Sequence, residues 1–169
     1  AFNLAVAIES ESNRAQALSK LVPYLSDQLK RKVLFIIRKM QDERDVALVL
    51  VGVAPHLHGN SLSEALTIVE GIKDENSRSY ALRAYAASLS NEMKETALVN
   101  ARAIHDPIAL AYALHQLIPY LSEPTQGQVF LEALAAVRSI EYDPSRSDAL
   151  IRLAPYLPEK LQGKALGIA

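Results

Sequence analysis

The sequence predicts an all-α chain of tandem helical hairpins, and three observations predict it. First, a triplet recurs as Pro23-Tyr24-Leu25, Pro55-His56-Leu57, Pro119-Tyr120-Leu121 and Pro155-Tyr156-Leu157, with a degenerate copy at Ala87-Ser88-Leu89. Its first residue, called the marker below, advances in steps of 32, 32, 32 and 36 residues. Second, other columns keep the same step. Leu18, Leu50, Leu82, Leu114 and Leu150 lie five residues before the markers, and the small residues Ala15, Ala47, Ser79, Ala111 and Ser147 lie eight before. Third, the apolar spacing within each unit is that of a helix and not the alternation of a strand. A fixed period of this length is the mark of a repeat architecture.

The elements follow in order. Helix 2–9 opens with Phe2, Leu4, Val6 and Ile8, and 13–24 carries Ala15, Leu18 and Val22 on one face. Helix 27–41 brings Leu34 inward and holds the basic run Lys30-Arg31-Lys32. Helix 44–57 repeats the first-helix stripe with Ala47 and Leu50, and 61–73 shows Ala65, Leu66, Val69 and Ile72. Helices 76–89 and 91–104 carry Ser79 with Leu82 and Leu98 with Ile104; 107–121 carries Ala111, Leu114 and Ile118. Helix 124–140 holds Leu134 and Ile140, 144–156 holds Ser147 and Leu150, and 158–168 holds Leu166.

The joints carry helix signals. Asp106-Pro107 and Asp143-Pro144 fit an N-cap followed by a proline in the first turn, where its missing N–H costs nothing. Ser26, Ser90 and Ser122 can cap the second helices. The triplet proline would kink or end the first helix. Four extra residues within Ser122–Phe130 amount to about 1.1 helical turns; a longer helix and a longer loop both fit, with Gly127 keeping the loop open. The units are about 10–41, 42–73, 74–105, 106–141 and 142–169, one repeat array. Its apolar ends, Phe2, Leu4, Val6 and Ile8 at one and Leu161, Ala165, Leu166 and Ile168 at the other, lack the polar caps of a finished array. A piece of a longer array is therefore expected, and self-association through the uncapped ends with it.

Composition narrows the function classes. Eighteen Lys and Arg against 19 Asp and Glu leave a net charge of −1, which argues against a general nucleic-acid coat. There is no cysteine, hence no thiolate metal site or cysteine nucleophile. Nothing approaches the roughly 20 apolar residues of a membrane span, and no signal-peptide pattern opens the chain. A soluble, cytoplasmic chain without cofactor or metal is expected. His56-Leu57-His58 has the spacing of a possible ligand pair but lacks any companion motif, and it reads as a surface pair at a helix end. His105-Asp106 reads as help for a cap. Acids cluster at joints such as Asp42-Glu43 and Asp74-Glu75, where they oppose the positive end of the helix dipole. No enzyme is expected.

Tandem hairpins ending in Ala/Leu…Pro-Tyr-Leu resemble a right-handed α-solenoid of the HEAT-like group, over essentially the whole chain. HEAT units run to about 40 residues or more, so a 32-residue period is short; the Trp…Leu-Gly…Tyr and Thr-Pro-Leu-His signatures of tetratricopeptide and ankyrin units are missing. The copies are also similar to helical repeats of large multidomain bacterial signalling proteins. That resemblance implies a scaffold or sensor segment that binds a protein or peptide.

Two faces compete for the partner. Seven, four and three residues before the markers, the first helices point outward, at Leu48, Val51 and Gly52, at Tyr80, Arg83 and Ala84, and at Tyr112, His115 and Gln116. Tyr and Arg are favoured anchors because they bury area at modest entropy cost. The slight preference goes to this stripe: Leu48, Val51, Tyr80, Arg83, Tyr112 and His115. The second-helix face offers Phe35, Thr67, Val99 and Ala135 with a basic column beside them. Arg31, Arg38, Arg102 and Arg138 on that face are the alternative, a phosphate-tracking groove for nucleic acid. Tyr24, Tyr120 and Tyr156, with His56, read as joint packing.

Overall fold

A computed structural model describes residues 1–157. The predicted helix 158–168 and the column residue Leu166 lie outside them. The described chain is all-helical: α1 (Phe2–Val6), α2 (Glu11–Leu21), α3 (Asp27–Ile37), α4 (Glu43–Val53), α5 (Asn60–Gly71), α6 (Glu75–Tyr85), α7 (Asn91–Arg102), α8 (Pro107–Leu117), α9 (Glu123–Arg138) and α10 (Asp143–Leu153).

Every marker triplet contributes to a single 3-10 turn, at Val22–Tyr24, Ala54–His56, Ala86–Ser88, Ile118–Tyr120 and Ala154–Tyr156. The first helix thus ends before the proline and is not kinked by it. The leucine of the triplet is extended. Its N–H closes the turn in four units, for example Leu25 to the Val22 carbonyl at 3.1 Å. The third unit makes the same turn with Ala87 in the proline position, so the surrounding packing is sufficient to hold it.

Entry into each first helix is set thirteen residues before the marker. Ser10, Asp42, Asp74 and Asp106 are N-caps whose side chains accept backbone N–H groups, as Asp106 does from Ala109 at 2.7 Å. Asp143, expected as an N-cap, is the first helical residue; Tyr142 holds the cap position, in register with the other four. Among the three serines, Ser90 accepts from Met93 at 3.3 Å, whereas Ser26 and Ser122 sit at the cap position without that bond. The four extra residues are helical. α9 has 16 residues where α7 has 12, and Gly127 lies inside it.

Successive first helices α2, α4, α6, α8 and α10 pack against one another in one row, closely from α2 to α8; α3, α5 and α7 form a second row that touches more sparingly. The columns meet between the rows. Leu18, Leu50, Leu82 and Leu114 are buried, as are Ala15, Ala47, Ser79 and Ala111 and, after the markers, Leu34, Leu66, Leu98 and Leu134. Leu150 and Ser147 are less covered.

The first-helix row is tightest at Gly52. A Cβ there would fall 2.9 Å from the Cα, Cβ and carbonyl oxygen of Ser19 on α2. Gly52→Ala would add about 1 kcal/mol of helix propensity but force two backbones apart, at roughly 1–3 kcal/mol. The variant is expected to unfold at lower urea concentration than the wild type; a raised midpoint would show that the two helices separate freely.

Candidate interaction surfaces

The first-helix stripe does not form one open surface. Leu48 and Val51 are half-buried, and Leu48 packs on the core, because α2 and α6 flank α4 closely. Tyr80 is 41% exposed and carries the Arg83 guanidinium over its ring at 5.1 Å. Tyr112 is half-buried and donates its hydroxyl to Asp148 Oδ2 at 2.6 Å. Arg152 binds the same carboxylate at 2.8 Å and lies over the Tyr112 ring at 5.3 Å. Burial first, then the bond to Asp148, raises the Tyr112 pKa. The bonds from Arg152 and Tyr112 hold Asp148 below the usual carboxylate range. His115 packs beside Tyr156, ring centroids 5.8 Å apart, with its Nδ1 enclosed and unpartnered among the described residues. Burial lowers its pKa, which favours the neutral ring. Neighbouring units therefore already occupy much of the stripe's binding capacity.

On the second-helix face the basic column is also engaged. Arg38 pairs with Glu64 at 3.2 Å, and Arg102 forms a two-pronged pair with Glu132 at 2.9 and 3.0 Å. In both cases the carboxylate belongs to the second helix of the next unit. Arg31 and Arg138 are exposed, with no ion pair among the described residues. The column is thus a row of spokes between units as much as a cationic track.

Between successive second helices the same face opens into grooves. One of about 310 Å³, between α3 and α5, is lined by Arg38, Val46, Thr67 and Ile68 among others. Another, of about 440 Å³ between α7 and α9, is lined by Arg102, Leu110, Ala135 and Ala136. These are the same repeat positions two units apart. Nine residues before the marker, arginine and apolar residues alternate as Arg14, Val46, Arg78, Leu110 and Arg146. The arginines bind the carbonyl that ends the preceding second-helix segment: Arg14 to Ile8 at 2.7 Å, Arg78 to Ile72 at 2.8 Å and Arg146 to Ile140 at 3.0 Å. Arg78 also reaches the carbonyl of Ala103 at 3.4 Å, and Asn100 binds Glu70 at 3.4 Å, so the α5–α7 junction is bridged. Val46 and Leu110 make no such bonds, and the junctions beside them stay open. The column twelve residues after the marker alternates in step: Phe35 and Val99 are 59% and 64% exposed, flanking the smaller Thr67 and Ala135. A third groove, of about 560 Å³ between α1 and α3, is lined by Phe2, Val6, Phe35 and Ile36; it opens beside Arg14, so arginine nine residues before the marker does not by itself close a junction.

A second feature escaped the sequence. Twelve residues before the marker, Glu11, Glu43 and Glu75 each accept two backbone N–H groups from the next unit: Gln41 and Asp42, Lys73 and Asp74, His105 and Asp106, at 2.6–3.0 Å. Each carboxylate satisfies donors at the entry of the following first helix and ties two units together. Pro107 ends the ladder. The signal was present, since Glu recurs at 32-residue spacing, but its partners lie 30 and 31 residues away. The bonds from His105 and Asp106 hold Glu75 below its ordinary 4.5. A lowered folded-state pKa stabilises above the unfolded value and loses that contribution as pH falls through the folded one. The stability gap between wild type and Glu75→Gln should accordingly be largest near neutrality and shrink below about pH 4; a gap constant from pH 7 to 3 would remove the ladder's ionic character.

Of the tyrosines expected as joint packing, Tyr24 is 85% exposed and Tyr120 41%, while Tyr156, 36% exposed, packs beside His115. Buried Tyr85, which no motif flagged, donates to the Leu50 carbonyl at 3.0 Å. Among the described residues no group of three or more His, Asp or Glu is placed to hold a metal ion, and no helix is long and apolar enough to cross a membrane. No known family model matches this sequence, and comparison with curated proteins and with solved structures returned no match.

Proposed function

We propose that this chain is a right-handed, HEAT-like α-solenoid that acts as an interaction scaffold or sensor segment for a protein or peptide, received on its second-helix face. The observation that carries the reading is the pair of register-equivalent grooves. A partner with two apolar anchors could engage Val46 and Leu110 together, and two linked weak contacts give far more affinity than either alone. Phe35 and Val99, on the helices α3 and α7 that form one wall of each groove, are exposed. The preference moves away from the first-helix stripe because Leu48, Tyr112 and His115 already pack against neighbouring units.

The repeat supplies its own probe. Val46→Arg and Leu110→Arg install the residue that other units carry at that position, so the fold should tolerate both while the grooves fill. Peptides selected from a displayed random library on the immobilised wild type should lose at least tenfold in affinity for the double variant and keep it for Tyr80→Ala with Tyr112→Ala. The reverse pattern would return the site to the first-helix stripe. The nucleic-acid reading is not favoured, since Arg38 and Arg102 are paired; a duplex or single-strand mobility shift at low salt that vanished in Arg38→Gln with Arg102→Gln would restore it.

A further inference from the structure

Two motifs that the scaffold reading leaves unused, the basic run at Lys30-Arg31 and the pair His56–His58, meet at one place. They line a recess of about 80 Å³ at the α3–α5 joint together with Asp27 and Ser61. We propose that this recess binds a single phosphate group, free or as a monoester of a small molecule.

The convergence of cationic and cationisable groups carries the assignment. Lys30 lies along the wall with its side chain only 15% exposed and its ammonium 3.0 Å from Asp27 Oδ1. Arg31 has no ion pair among the described residues. His56 and His58 line the recess as well. A single carboxylate, Asp27, opposes these groups, held in its charged form by Lys30 first and then by Arg31 and His58. A metal ion would have to sit against Lys30 and Arg31 with too few carboxylates, whereas an oxyanion finds several donors among the lining groups.

The chain path adds donors. In units one, three and four the residue three after the marker is serine, at Ser26, Ser90 and Ser122, and it is the N-cap. Here it is His58, and the cap position falls to Gly59, whose φ of +52° suits glycine and which has no side chain to accept from α5. The start of α5 has no side-chain cap and its Ser61 lines the recess; a helix N-terminus favours an anion. The volume exceeds what one water needs and suits a small ion.

Titrating the intact chain with inorganic phosphate at constant ionic strength should move the backbone NMR signals of Arg31, His58, Asn60 and Ser61. Arg31→Gln should weaken binding at least fivefold. His58→Ser, which restores the residue of units one, three and four, should weaken it to a similar degree without unfolding the chain. Tighter binding of O-phosphoserine than of phosphate would place the group on an ester, and equal binding would make it the free ion. Shifts that chloride reproduces at matched ionic strength, or that survive both substitutions, would overturn the proposal. So would an oligonucleotide that bound more tightly with its shifts spread over Arg38, Arg102 and Arg138.

Discussion

Truncating Tyr85 to alanine is expected to cost about 3–5 kcal/mol, the largest effect of any single substitution considered. The side chain is fully enclosed and sits two residues before its marker, where other units place Leu21, Val53, Leu117 and Leu153. Its ring fills that leucine space and its hydroxyl spans to the preceding unit, donating to the Leu50 carbonyl. The two contributions separate cleanly. Tyr85→Phe keeps the ring and loses one hydrogen bond, about 0.5–1.5 kcal/mol, because the Leu50 carbonyl also receives the Ala54 N–H and is not orphaned. Tyr85→Leu, the residue of three other units, should fall between. Urea unfolding of the three variants gives the order; equal losses for Phe and Ala would mean that the ring packs loosely. Burial also pushes the hydroxyl pKa well above the usual tyrosine value, so Tyr85 should ionise only on unfolding, as absorbance during an alkaline titration would show.

Leu82→Ala is the second large effect, about 2–5 kcal/mol for a buried truncation. Leu82 is 1% exposed in the column shared with Leu18, Leu50 and Leu114. α6 packs chiefly on α4 and α8. The loss of hydrogen-exchange protection should therefore concentrate in α4, α6 and α8 and fade toward α2, as nearest-neighbour coupling requires. A change below about 0.5 kcal/mol would mean that this position faces solvent, and uniform loss across the chain would mean that the array unfolds as one unit.

The period was legible because burial is enforced at the same helical phase in the first four units. A leucine five residues before the marker and a small residue eight before it both face the seam, and any polar substitute there would be desolvated. Joints were legible through Asp and Pro, though Asp143 slipped by one position because Asp and Pro also suit the first turn. The open stripe was less legible. Helical phase points Leu48 and Tyr112 away from their own hairpin, yet it is silent about the neighbouring hairpins: Leu48 packs on the core and Asp148 of the next unit engages Tyr112. Basic residues misled in the same way: Arg38 and Arg102 align as a column, and their carboxylate partners lie on another helix.

By itself the sequence determined the helical hairpin, its 32-residue step and the columns that are buried, since these depend on phase along one helix and on the cost of exposing leucine. Only the tertiary structure decided which surfaces stay open. That depends on how closely neighbouring units approach: Gly52 lets α4 nearly touch α2, Arg78 bridges one junction, and Val46 and Leu110 leave two others as grooves. Contacts across 30 residues follow from the rotation and spacing of whole hairpins, quantities to which every interface contributes and which no single column records.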